Sequence, residues 1–422
     1  MRDNKIIRQP ILIIALLICL LPFPAPAQRR SATEKRSYVL SLVRAADGVY
    51  VTASSAVSGL VLEVYQLSGE RVFASEPYSG AKLKLRVGSG QGAPLPDGQY
   101  LYIVTSQVSP ALLVKYFGRL TLQPGMAEML DSSEILGSYE RHYFAQRNLA
   151  MEPGSKQADI DREFGLYQDN ARQAALFFAQ VVKMIPESAE ALLGHGFALA
   201  ATHGLTVSQL TEILDPETPP PPPPPADPDR PVSKAPPMPQ ARQPEINREG
   251  LARAIAAFRQ GADLADCRSR AERWLFAAAI HARLEEADKA NALRLQAGGL
   301  ACAPASTRAL AWYALAVDDW RRVNGITERH TDQQRAMFTD PWYYREIPSG
   351  AELTGLNESL ARGLAYVEKT LALDPGNDKA VFYQSLLYRE KQKTTKSPAE
   401  RRKYEALAEK AMDRALKQRR RQ

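Results

Sequence analysis

The sequence predicts a β region followed by an α region: an antiparallel β-sandwich, then an array of helical hairpins. Two patterns carry this. Between about Arg36 and Gln123, apolar and polar residues alternate in short runs broken by turn residues, which is the period of half-buried strands. From about Ala171 onward the apolar residues fall at helical spacing. There a set of helix-packing residues recurs at a period of about 34 residues, the mark of stacked supersecondary units.

The first element is a leader. Arg2, Lys5 and Arg8 precede the apolar run Ile11 to Leu21, and Ala25-Pro26-Ala27 supplies the small residues of a secretory cleavage site, so residues 1–27 read as a signal peptide cut after Ala27. The run of eleven apolar residues is shorter than the ~20 a membrane span needs; an uncleaved anchor is the alternative. Cys19 follows Ile18, where a lipid-attachment site needs a small residue, so no lipid anchor is expected. The leader implies a periplasmic or secreted protein of a bacterial envelope. Its removal takes three cations and one anion (Asp3), lowering the formal charge of the 422-residue chain from +7 to +5. That balance is mild and favours solubility over nucleic-acid binding. The basic tail, residues 417–422, reads as a solvated end, with an anionic membrane or polymer as the alternative.

Strands follow at Ser37 to Val43, Val49 to Ala53, Gly59 to Leu67, Arg71 to Ser75, Lys82 to Val87, Gln99 to Ser106 and Leu112 to Leu122. Asp47-Gly48, Ser68-Gly69 and Asp97-Gly98 punctuate them as turns. In Lys82 to Val87 charged and apolar side chains alternate, so one face is wet and the other buried. So many short strands between residues 36 and 125 predict a sandwich. The segment Val64 to Val72, followed by Leu95-Pro96-Asp97-Gly98-Gln99-Tyr100, resembles the Ig-like domains of flagellar-hook capping proteins and secretion-sorting tails. The resemblance implies a fold and no function.

Residues 126–169 read as a connector with a helix at Ser132 to Asn148 and a loop near Pro153-Gly154. Helical repeats then occupy 170–416. Ala174, Phe178, Val181 and Pro186 are followed by Leu192 and Gly196 in the next helix, Ala189 to Thr202. Gly363, Val367, Thr370 and Pro375 repeat the spacing, with Tyr388 in the succeeding helix. Small residues let helices approach, Phe178 fills the gap and Pro186 stops the helix. Ala254, Phe258 and Gly261 complete a unit across a looped-out insertion, residues 205–247. Ser269 to Leu284 with Glu286 to Gly298 form another hairpin, Ser306 to Arg321 a further helix, and Ala408, Met412 and Ala415 a capping one.

These residues resemble the tetratricopeptide (TPR) pattern. The resemblance implies stacked helical hairpins whose first helices line a concave groove, here with Leu193, Phe197, Arg273, Ile280, His281, Phe382, Leu386 and Arg389 exposed. Their mix of apolar and cationic groups suits an extended peptide or helix with acidic character. An Asn and Lys clamp for a terminal carboxylate cannot be traced onto these positions.

Within the insertion, Pro219 to Pro225 is an unbroken proline run, which favours a polyproline II rod, either a stiff spacer or a ligand for a proline-binding groove. Cys267 and Cys302 remain after export. Helices that alternate in direction bring both to one end of the layer, where a disulfide is allowed; a bridge needs Cα atoms ~4.4–6.8 Å apart, and repeat spacing leaves the pair either bridged or free.

No catalytic constellation emerges. The five histidines lack a metal-type spacing, and His195 and His203 are ~12 Å apart along one helix. There is no nucleophile elbow, phosphate loop or dinucleotide fingerprint. Asp318 and Asp319 diverge on a helix, and Trp342, Tyr343 and Tyr344 read as an aromatic plug, or else a stacking site for a peptide or sugar. The expectation is therefore a non-enzymatic scaffold or adaptor without cofactor or metal, which binds a protein or peptide and neither nucleic acid nor, after cleavage, the membrane. The alternative is an envelope carbohydrate-binding or enzyme-accessory protein that recognises its target through the sandwich.

Overall fold

The computed structural model describes residues 40–420, apart from 46–47, 55, 82, 89–92, 110–111, 125, 153, 215–239 and 331–348. The leader, the proline run Pro219 to Pro225 and the cluster Trp342, Tyr343 and Tyr344 lie outside the described residues. An antiparallel β region precedes a helical one. The chain divides into two compact units: the first runs to Gly204 and takes in 240–254, and the second holds 205–214 and everything described from Ile255 onward.

In the first unit, β1 (Leu40–Ala45), β2 (Gly48–Ala53) and β6 (Lys84–Val87) form one sheet in the order β1-β2-β6. The second sheet runs β4-β3-β7-β8-β9, from β3 (Val57–Gln66), β4 (Arg71–Ala74), β7 (Gly98–Ser109), β8 (Leu112–Gln123) and β9 (Met126–Asp131), while β5 (Tyr78–Gly80) also pairs with β3. Every pairing is antiparallel. Alternation sets which face is buried: Leu60, Leu62 and Val64 of β3 point inward, and they share one core with Val49, Val51 and Val87 of the other sheet. Gly69 has a φ of 96°, the left-handed conformation that the β3–β4 turn needs.

The sequence reading missed two strands. β5 is too short to carry a period. Met126–Asp131, read as the start of a connector, is a strand because it pairs residue by residue with Gly118 to Gln123. Asp131 then caps the next helix. Its carboxylate accepts from the Ser133 and Glu134 amides while the Glu134 side chain accepts from the Asp131 amide, a reciprocal capping box.

The helices of the first unit are α1 (Ser132–Met151), α2 (Gln157–Met184) and α3 (Ala189–Thr202). Helix α2 begins well before the position read from the repeat spacing. Phe178 of α2 meets Phe117 of β8 edge-on at 6.2 Å, joining helix to sheet. Gly194 of α3 faces the Phe178 ring, and a Cβ there would collide with it; this close approach requires glycine. Pro186 stops α2 as expected, and Ser188 caps α3 through the Ala191 amide.

The next helix, α4 (Val207–Leu214), lies within 205–247, the stretch expected to be a Pro-rich insertion, and α5 (Arg248–Leu264) is divided between the units. The second unit continues with α6 (Cys267–Arg283), α7 (Ala287–Gly299), α8 (Ala305–Arg329), α9 (Gly350–Leu373), α10 (Asp378–Thr394) and α11 (Pro398–Arg419). Consecutive helices pack on one another: α6 on α7, α7 on α8, α8 on α9, α9 on α10 and α10 on α11. Helix α8 extends beyond the expected Arg321 because Val323 and Thr327 continue its buried stripe. Cys267 and Cys302 form a disulfide, with Cα atoms 6.0 Å apart, tying the start of α6 to the α7–α8 turn.

Candidate functional site

The groove positions read from the repeat pattern separate into three sets. On α3 of the first unit, Leu193 is half-buried and Phe197 buried. On α6, the expected exposure of Arg273, Ile280 and His281 is overturned. Ile280 is fully buried, the Arg273 guanidinium donates to the Ser269 carbonyl at 3.0 Å, and His281 Nδ1 lies 2.6 Å from Glu286 Oε2. Helix α6 has α4, α7 and α8 as neighbours, so little of its surface is left open. On α10, Phe382, Leu386 and Arg389 are half-buried at spacings of four and three, which puts them on one helix face. Of the eight positions, these three form a coherent partly open surface.

Some polar groups in the second unit are paired and enclosed. Glu390 of α10 is 3% exposed; it accepts from Thr327 Oγ1 and from Lys393 Nζ, each at 2.6 Å. Burial pushes the Glu390 carboxyl up to about 7 and the Lys393 ammonium down to about 8, since desolvation penalises whichever form is charged. Asp318 and Asp319 diverge as expected, Asp318 pairing with the buried Arg294 and Asp319 with Arg362 at 2.8 Å. Burial raises the Asp319 pKa, although the Arg362 guanidinium opposes that shift. His195 and His203 both have pKa values lowered by burial, so neither is poised as a cation.

A cleft of about 280 Å³ lies between α8 and α9, lined by Arg322, Ile326, Glu352, Leu356, Ser359 and Arg362 among others. It includes none of the groove positions. Among the described residues no group of three or more His, Cys, Asp or Glu side chains could hold a metal ion, and no helix is long and apolar enough to cross a membrane.

No protein-family model matches the chain, and no curated protein matches it. Its own geometry therefore supplies the functional clues. The sequence reading missed one arrangement entirely: Gln146, Gln157 and Asp161 of α1 and α2 hold Gln240 and Arg242 by backbone and side chain. The only sequence signal for it was the polar Gln146 on the apolar face of a helix, where Ile135, Tyr139 and Tyr143 are also buried.

Proposed function

We propose that the protein is an exported, non-enzymatic scaffold. In this reading its β region is an Ig-like sandwich, its helices form a TPR-like array, and the α10 surface grips a protein or peptide partner. The observation that carries it is Phe382, Leu386 and Arg389 on one face of α10, two apolar anchors beside one cation, left half-open. An apolar anchor gives affinity, and a guanidinium orients an acidic ligand group. The shared core of the two sheets and the sequential packing of the helices support the two fold assignments. Enclosure of the titratable clusters fits binding better than catalysis. The carbohydrate-binding alternative gains no support, because every described aromatic side chain of the β region is buried or half-buried.

The test is affinity capture from the native envelope with the full-length protein and a Phe382→Ala, Leu386→Ala double variant of matched thermal stability. Loss of a specific partner in the variant is expected. Equal recovery would remove the α10 surface from consideration.

A further inference from the structure

Residues 240–247 follow the proline-rich stretch in sequence and run without regular secondary structure into α5. Within the first unit this segment is held by side chains in a systematic way. The Gln157 amide group accepts from the Gln240 N–H at 3.1 Å and donates to the Gln240 carbonyl at 3.2 Å. Two residues on, the Gln146 amide accepts from the Arg242 N–H and donates to the Arg242 carbonyl, both at 2.9 Å. Each glutamine reads one residue as a neighbouring strand would, through both main-chain groups. The two-residue interval selects one edge of an extended chain.

Side chains add selectivity. Asp161 accepts from Arg242 Nε at 2.9 Å and Nη2 at 3.3 Å, a two-pronged contact suited to guanidinium. Tyr143 donates to the Gln243 side chain at 3.3 Å. Pro244 is buried, and the Asn247 amide closes on the His203 carbonyl at 3.0 Å. Gln146 has 0% exposure, so its amide group would be left costly and unpaired without a peptide backbone beside it.

We propose that the α1–α2 face is a binding surface for an extended, arginine-bearing peptide of a partner, and that Gln240–Gln243 of this chain occupies it in cis. Backbone clamps confer affinity for any extended segment, as in strand-addition recognition. Asp161 selects the basic residue. The cis segment is tethered directly to α5, so its effective concentration is high and it suppresses binding in trans. This surface shares no residue with Phe382, Leu386 and Arg389, so either proposal can fail alone.

The probe is a fluorescently labelled peptide, Gln-Ala-Arg-Gln-Pro-Glu-Ile-Asn (the sequence of residues 240–247), titrated into the full-length protein and followed by anisotropy. Changing Gln240→Pro and Arg242→Pro in the protein deletes both clamped N–H groups and the arginine while keeping an extended backbone. That variant is expected to bind the peptide about tenfold or more tightly than wild type does. A peptide carrying the same two prolines should not bind, and adding Gln146→Ala should weaken binding about tenfold. Equal binding by wild type and the double variant, or equal binding of both peptides, would overturn the proposal.

Should the double variant misfold, single changes at exposed positions keep the test open. Arg242→Asp repels Asp161 and should raise peptide affinity about threefold or more. An Asp161→Arg protein should prefer a peptide with Asp in place of Arg. Absence of both responses would equally refute it.

Discussion

Reducing the Cys267–Cys302 bridge has a calculable consequence. The bridge closes a loop with a sequence separation of 35. Loop-closure entropy for that length lowers the freedom of the unfolded chain by about 13 cal/mol/K, or about 3.8 kcal/mol at 25 °C, if native geometry is unaffected. The entire sequence has four tryptophans, Trp274, Trp312, Trp320 and Trp342, all beyond the unit boundary at Ile255. Intrinsic tryptophan fluorescence therefore comes from residues on the second unit's side of that boundary. In urea, with an m-value of about 3 kcal/mol/M, the midpoint should fall by about 1.3 M on reduction or in a Cys267→Ser, Cys302→Ser variant. Two results would refute the reasoning: coincident fluorescence transitions for the oxidised and reduced proteins, or two free thiols titrated in the unreduced native protein.

Two further perturbations test the packing and the buried charges. Gly194→Ala places a Cβ against the Phe178 ring; it should destabilise the fold by about 1–3 kcal/mol, seen as a lower Tm by circular dichroism, and an unchanged Tm would refute the close approach. Glu390 has a folded pKa raised to about 7 by burial. The folded state thus holds its proton more tightly than the unfolded chain, and its contribution to stability declines as pH rises from the ordinary carboxylate range through about 7. Glu390→Gln should flatten that decline in urea midpoints measured from pH 5 to pH 8; an unchanged slope would assign the pH dependence to other groups.

Much of the architecture was legible because burial imposes a period. All seven expected strands occur, as do the helices α3, α6 and α7 to within a few residues. The rest was hidden for identifiable reasons. Met126–Asp131 has the composition of a helix start and becomes a strand through its pairing with β8, a tertiary effect that local propensity does not carry. Val207–Leu214 sits beside a proline-rich stretch and lacks the repeat spacing, yet Leu210 and Leu214 are buried. Arg273, Ile280 and His281 were expected to be open only because the repeat resemblance implied it, and all three are buried. The clamp of Gln146, Gln157 and Asp161 joins residues about 80 to 100 positions apart in the chain, and no local pattern announces such a contact.

The scaffold reading is tested most directly by site-specific photocrosslinking in the native envelope, with a photoreactive residue in place of Leu386 on α10 or, as control, in place of the exposed Lys410 on α11. A discrete adduct from position 386, lost on adding Phe382→Ala and absent from position 410, is the expected outcome. Equal labelling from both positions, or none from 386 in a protein that remains folded, would contradict it.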